Sequence, residues 1–223
     1  MKISALLFPD KCPFCGRILS KGESVLCDAC KQTGILRSGY TQEDLFFLPE
    51  ILHLYCPLQY IAGAKESLLR YKFHGDNWLA DPYAQLLHQA ILQNRGYDHC
   101  KWITAVPVSK HRYRVRGYNQ SALIAKKISA LSGIPYVETM ARTGQKGDAQ
   151  TGKMNRVERH QTKRFVLRHP VPEINGGVIL IDDILTTGST LNECASLLLH
   201  AGADFVNAGV VASGRRDLGG VCA

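Results

Sequence analysis

The stretch Val178-Ile-Leu-Ile-Asp-Asp-Ile-Leu-Thr-Thr-Gly-Ser-Thr190 decides how this 223-residue chain is read. Four apolar residues followed by an acid, Val178–Asp182, have the pattern of a parallel strand buried on both faces. Such a strand delivers Asp182 and Asp183 to the carboxyl edge of its sheet, where open α/β sheets bind ligands. The loop Thr186-Thr187-Gly188-Ser189-Thr190 then feeds a helix running to Ala201, with Thr190 and Glu193 at capping-box spacing. A helix N-terminus offers unpaired N–H groups and a positive dipole end, and the hydroxyls add donors, so this loop suits a phosphate. Carboxylates repel a phosphate but accept hydrogen bonds from sugar hydroxyls. A ribose 5-phosphate satisfies both, with its phosphate in the loop and its diol on the acids. No GxxxxGK[ST] sequence is present, which excludes a Walker loop.

Working outward, Ala64–Phe73, Pro82–Gln93 and Asn119–Leu131 read as helices, the last from Ile124, Ile128 and Leu131 at i, i+4 and i+7. Lys101–Val106, Tyr136–Met140, Phe165–Leu167 and Phe205–Ala212 are strand candidates. Alternating strands and helices predict an α/β domain with a parallel sheet and right-handed crossovers. Gly144–Lys163 is basic, polar and without sustained period, too long for an ordinary connector, and reads as a functional loop or lid.

Apolar residues make up 45% and charged residues 21%, which excludes a disordered or fibrous chain. No apolar run approaches the ~20 residues of a membrane-spanning helix, and no secretory leader is recognisable, so the expected location is cytoplasmic. The net charge is +8. Its excess is segregated. Arg142, Lys146, Lys153, Arg156, Arg159, Lys163, Arg164 and Arg168 face only Asp148 and Glu158, while Lys110, Arg112, Arg114 and Arg116 form a second block. In an extended loop, that alternate spacing puts the four cations on one side, matched to a nucleic-acid strand, with Tyr113 and Tyr118 interleaved for stacking.

Of eight cysteines, four form Cys12-Pro-Phe-Cys15-Gly and Cys27-Asp-Ala-Cys30, with eleven residues between the pairs. Two such knuckles make a tetrahedral four-thiolate zinc site. Cys194 reads as a buried core thiol, Cys56 and Cys100 as buried or incidental, and Cys222 as inert. The organisation expected is a zinc module at 1–35, a linker at 36–58 and a ligand-binding α/β domain at 59–223.

Val178–Thr190 resembles the thirteen-residue signature of type I phosphoribosyltransferases, which bind phosphoribosyl pyrophosphate (PRPP). Val106-Pro-Val-Ser109, Arg116-Gly-Tyr-Asn-Gln120 and Tyr71-Lys-Phe-His-Gly-Asp76, together with the cysteine knuckles, resemble segments of the ComF (competence protein F) family. The resemblance implies a type I phosphoribosyltransferase fold and PRPP bound with Mg2+. Asp182 and Asp183 would hold the ribose hydroxyls and Thr186, Thr187, Gly188, Ser189 and Thr190 the 5-phosphate. Pro107, Val108 and Ser109 would receive pyrophosphate under a Gly144–Lys163 lid. It also implies a part in DNA uptake and natural competence, handling single-stranded DNA beside a DNA translocase. Many relatives carry a second cysteine set where this chain has only Cys56, so one zinc ion is expected. Thr186 replaces the acid with which hypoxanthine–guanine transferases face a purine. The alternative is an active transferase moving ribose 5-phosphate to an unknown acceptor, with Arg142, Lys146 or Lys153 neutralising the leaving group. A third reading is a structural partner of a DNA translocase that keeps the PRPP site as a sensor or relic.

Overall fold

A computed structural model describes residues 9–37, 45–143, 164–168 and 175–215. The expected lid, with Lys146 and Lys153, and Cys222 lie outside the described residues. In chain order the elements are α1 (Asp28–Lys31), β1 (His53–Tyr55), β2 (Leu58–Gln59), α2 (Ala62–Phe73), a 3-10 turn (Asn77–Leu79), α3 (Ala80–Gln93), β3 (Cys100–Ala105), α4 (Lys110–Arg116) and α5 (Gln120–Ser132). Then come β4 (Met140–Arg142), β5 (Phe165–Leu167), β6 (Gly177–Leu185), α6 (Ser189–His200) and β7 (Val206–Ser213).

The main sheet runs β1-β7-β6-β3, every pair parallel, with β2 also on β7. Beyond β3, Tyr136 makes a parallel bridge to Ile103. The chain therefore leaves β3 outward through α5, then returns to place β6 on β3's other side. The carboxyl ends of β3 and β6 diverge at that reversal, which is where such sheets open a crevice for ligands.

The apolar run in β6 serves both faces. Ile179 and Ile181 join a core with Leu87 and Ile91 of α3 and Ile124 and Ile128 of α5. Val178 and Leu180 join Leu191, Cys194 and Leu198 of α6 on the opposite face. The period-2 alternation of a strand thus splits one apolar run between two helical layers. Burying each Leu or Ile side chain fully is worth about 1.5–3 kcal/mol. Cys194 is buried, as its apolar helix face suggested, and Cys56 and Cys100, read as buried or incidental, are buried too.

Two local expectations fail. The stretch 36–58, read as a linker, supplies β1, an edge strand whose His53, Leu54 and Tyr55 pair with Asn207, Ala208 and Gly209. Three residues are too few for a legible period. Lys110–Arg116, read as an extended loop, is helical. Ser109 caps it by accepting from the Arg112 N–H at 3.2 Å, and left-handed Gly117 ends it. On a helix Lys110 and Arg114 lie together, roughly 200° from Arg112. The four cations therefore do not form one row.

Candidate phosphate-binding and metal sites

The acid pair sits where β6 leaves the core. Asp182 Oδ1 accepts from Ser121 Oγ at 2.9 Å and from the Asp183 N–H at 2.8 Å. Burial, then the neighbouring Asp183 charge, pushes Asp182 up to about 7, against those two hydrogen bonds. Asp183 Oδ1 pairs with Lys72 Nζ at 2.9 Å, both side chains largely shielded from solvent. Each acid thus has one oxygen bound by the protein. The resemblance put Lys72 inside the Tyr71–Asp76 segment without giving it a role, and Ser121 carried no signal; they stand 111 and 61 positions from their partners.

The hydroxyl loop follows directly. Thr186, Thr187 and Ser189 are exposed, Thr190 is half-buried, and Thr187 Oγ1 lies 3.2 Å from Ser189 Oγ. Gly188 caps α6 at φ +82°, and a Cβ there would meet Leu48 Cδ2 at 2.5 Å and the Phe47 ring at 3.2 Å. Asn192 Nδ2 also donates to Phe47 O at 2.9 Å. Part of the stretch read as a linker therefore backs the hydroxyl loop. Gly188→Ala is expected to cost about 1–2 kcal/mol in left-handed backbone strain and more in displacing buried Leu48. A urea titration checks this. Gly16→Ala, at φ +74° with open space around it, should show the backbone cost alone.

The capping box does not form. Glu193 is claimed instead by Arg164, whose backbone N–H and Nε reach its two oxygens at 2.8 and 2.6 Å. Strands β4 and β5, an antiparallel pair, bracket the expected lid.

Val106, Pro107, Val108 and Ser109 leave β3 beside the acids. The Val106 N–H donates to Ile181 O at 3.0 Å, and Val106 O accepts from Asn119 Nδ2 at 3.0 Å. Lys110, Arg112 and Arg114 are exposed. Arg116 is half-buried, lies 4.8 Å over the Phe73 ring and reaches Gln120 Oε1 at 3.2 Å. Burial and the nearby Arg112 lower Arg116. Burial, then Arg112 and Arg164, lowers Arg142. Cations from three separate segments therefore converge, an arrangement that favours a multiply charged anion.

At the other end, Cys12, Cys15, Cys27 and Cys30 bring their four sulfurs within 4.8 Å of one another. Zn–S bonds of ~2.3 Å in a tetrahedron give sulfur–sulfur edges of about 3.8 Å, so the cluster can hold one metal ion. Burial opposes ionisation of Cys27, but hydrogen bonds from the Cys30 backbone and the Cys30, Cys15 and Cys12 thiols outweigh it. They draw Cys27 down to about 6, while burial and the shared thiol contacts raise Cys30, so one of the four sulfurs leans towards the thiolate a metal needs. Among the described residues this is the one metal-ligating cluster found, and no helix is long and apolar enough to cross a membrane.

The parallel sheet, the acid pair and the hydroxyl loop define a type I phosphoribosyltransferase fold joined to a four-cysteine cluster consistent with a zinc module. The phosphoribosyl transferase domain family matches residues 118–219. Competence protein ComFC of Streptococcus pneumoniae is 31% identical over 66% of this chain and 62% of its own length. Competence protein F of Haemophilus influenzae is 30% identical over 66% of each. The DNA utilization protein YhgH of Escherichia coli O157:H7 is 27% identical over 90% of this chain and 96% of its own. The chain belongs to the ComF family, with a phosphoribosyltransferase domain. The alignments to the first two relatives span less than two thirds of their length.

Proposed function

We propose that this protein binds PRPP with Mg2+ at the β6–α6 edge, and that it serves DNA uptake or use by handling single-stranded DNA. The observation that carries the PRPP reading is the acid pair held by Lys72 and Ser121 directly ahead of the hydroxyl loop at the sheet's reversal. Asp182 and Asp183 present their remaining oxygens to the ribose diol. Thr186–Thr190 take the 5-phosphate, and Pro107–Ser109 with the converging arginines take the pyrophosphate. Mg2+ would offset the charge of the pyrophosphate. The cysteine cluster holds one structural zinc. Calorimetric titration of the full chain with PRPP, with and without Mg2+, tests the reading. No heat of binding in Mg2+ overturns it.

The names of the relatives and the exposed cations support the DNA reading. With Arg116 occupied by Phe73 and Gln120 and Arg112 on the other side of α4, Lys110 and Arg114 remain to meet phosphates together, beside exposed Tyr113. About two neutralised phosphates give a log–log salt slope near −0.7 × 2, roughly −1.4, instead of the −3 that four would give. Fluorescence anisotropy with an oligonucleotide of about 30 bases, several times the site size of one such groove, at two salt concentrations measures it. Binding unchanged when Arg112 and Arg114 become Ala removes this surface from the account.

A further inference from the structure

We propose that α2 is a strut between the cysteine knuckle and the ribose acids, so that metal occupancy sets the affinity for PRPP and bound PRPP in turn protects the metal. This rests on the zinc and PRPP readings above and joins them.

Gly63 and Arg70 are seven residues apart, two helical turns, and therefore share one face of α2. Both meet the knuckle. A Cβ on Gly63 would lie 3.3 Å from Phe14 Cβ, and Arg70 Nη2 donates to Pro13 O at 2.7 Å. Pro13 and Phe14 are the two residues between Cys12 and Cys15. The seat of α2 is thus the inside of the chelate loop.

Lys72 follows Arg70 by two positions, roughly 200° around the helix. It faces the other way, onto Asp183 at 2.9 Å. Tyr71 between them is buried. Its hydroxyl donates to Gln120 O at 2.8 Å, its ring packs on Tyr83 at 5.5 Å, and its own carbonyl accepts from Tyr118. These contacts fix the rotation of the helix end, so a displaced seat moves Lys72 instead of being absorbed locally.

The knuckle has little structure with which to hold that seat alone. Its described regular elements are the single turn α1 and a bridge between Lys11 and Ile18. A module this small depends on its metal for its fold. Losing the metal releases Pro13 O, leaves Arg70 only the 3.8 Å approach to Asp76, and frees Lys72 to leave Asp183. By thermodynamic reciprocity, a ligand that needs Lys72 and Asp183 in register tightens the metal by the same factor.

The test uses the full chain, its zinc content first measured by metal analysis. Zinc affinity is read by competition with a zinc-selective chromophoric chelator, without and with saturating PRPP and Mg2+. PRPP affinity is read by calorimetry. Saturating PRPP is expected to tighten zinc roughly ten-fold, the size of one charge-assisted hydrogen bond. Arg70→Ala should weaken PRPP by about the same factor and bring the response of zinc to PRPP close to one. Lys72→Met, which cuts the strut at its far end, should abolish the response of zinc affinity to saturating PRPP. Lys21→Ala, on the exposed rim of the knuckle, should respond as the wild type does. A wild type that binds both ligands with zinc affinity indifferent to PRPP overturns the strut alone, as does Arg70→Ala with a full response. Zinc-loaded protein that fails to bind PRPP, or protein purified without zinc, overturns the parent readings and the strut with them.

Discussion

Replacing Cys27 by serine is expected to take the metal content from about one ion per chain to none and to lower the melting temperature by on the order of 10 °C or more. Apparent binding of structural zinc in small modules is worth roughly 10–16 kcal/mol, far more than any single contact in the core. The knuckle is not a detached appendage. Phe14, Val25, Leu26 and Ile35 are buried in one cluster with Leu68 and Tyr71 of α2 and Tyr83 and Leu87 of α3. Unfolding the knuckle exposes that shared surface at about 1.5–3 kcal/mol for each large side chain. A loss of ~5 kcal/mol in a chain of this size corresponds to about 10–20 °C. Cys194→Ala is the contrast. Cys194 is fully buried on the inner face of α6, away from the cluster, so that variant keeps its metal and loses only packing. Metal analysis and a thermal scan on the same samples decide the matter. Wild-type protein with two disulfides and no zinc would contradict the expectation.

Asp183→Ala is expected to weaken PRPP by about 10–150-fold, from the loss of about 1.5–3 kcal/mol of hydrogen bonding between a carboxylate and sugar hydroxyls. The substitution also strips Lys72 of its counter-charge in a setting where little of its side chain reaches water. Asp182→Ala should weaken binding comparably and additionally leave Ser121 Oγ, now its donor, without that acceptor. Thr187→Ala should cost less. Its hydroxyl is exposed, and Ser189 beside it offers a second donor. Calorimetry in Mg2+ separates these cases. If both aspartate variants bind PRPP like the wild type, the diol lies elsewhere. If only Thr187→Ala is weakened, the phosphate loop is right and the acids are not.

What could be read from the amino-acid order was whatever depends on residues within a turn or two of one another. The run Val178–Ile181 announced a strand buried on both faces, and two layers of core meet there. The cysteine spacing announced a four-sulfur cluster, which forms. Asn119 and Gly133, a capping side chain and a left-handed stop, bound α5 within a residue of the expected limits. Where a short segment had two local options, the order alone was not enough. Lys110–Arg116 has seven residues and alternating charge, and its helix is held by Ser109 at one end and by Arg116 on Phe73 at the other. Glu193 stood at capping distance from Thr190, yet Arg164 wins it, because its backbone N–H and its charged Nε together offer two bonds where a backbone cap offers one.

By itself, then, the sequence determined the strand and its acids, the hydroxyl loop, the cysteine spacing and most helix limits, since propensity, period and capping act through neighbours. Only the tertiary structure decided that Lys72 holds Asp183, that Ser121 holds Asp182, that Phe47 and Leu48 back Gly188, and that Arg70 sits on the knuckle. Those partners lie far apart in the chain and obey no spacing rule. The packing of helices on a twisted sheet brings them together, and a side chain buried there takes whichever partner best repays its lost water.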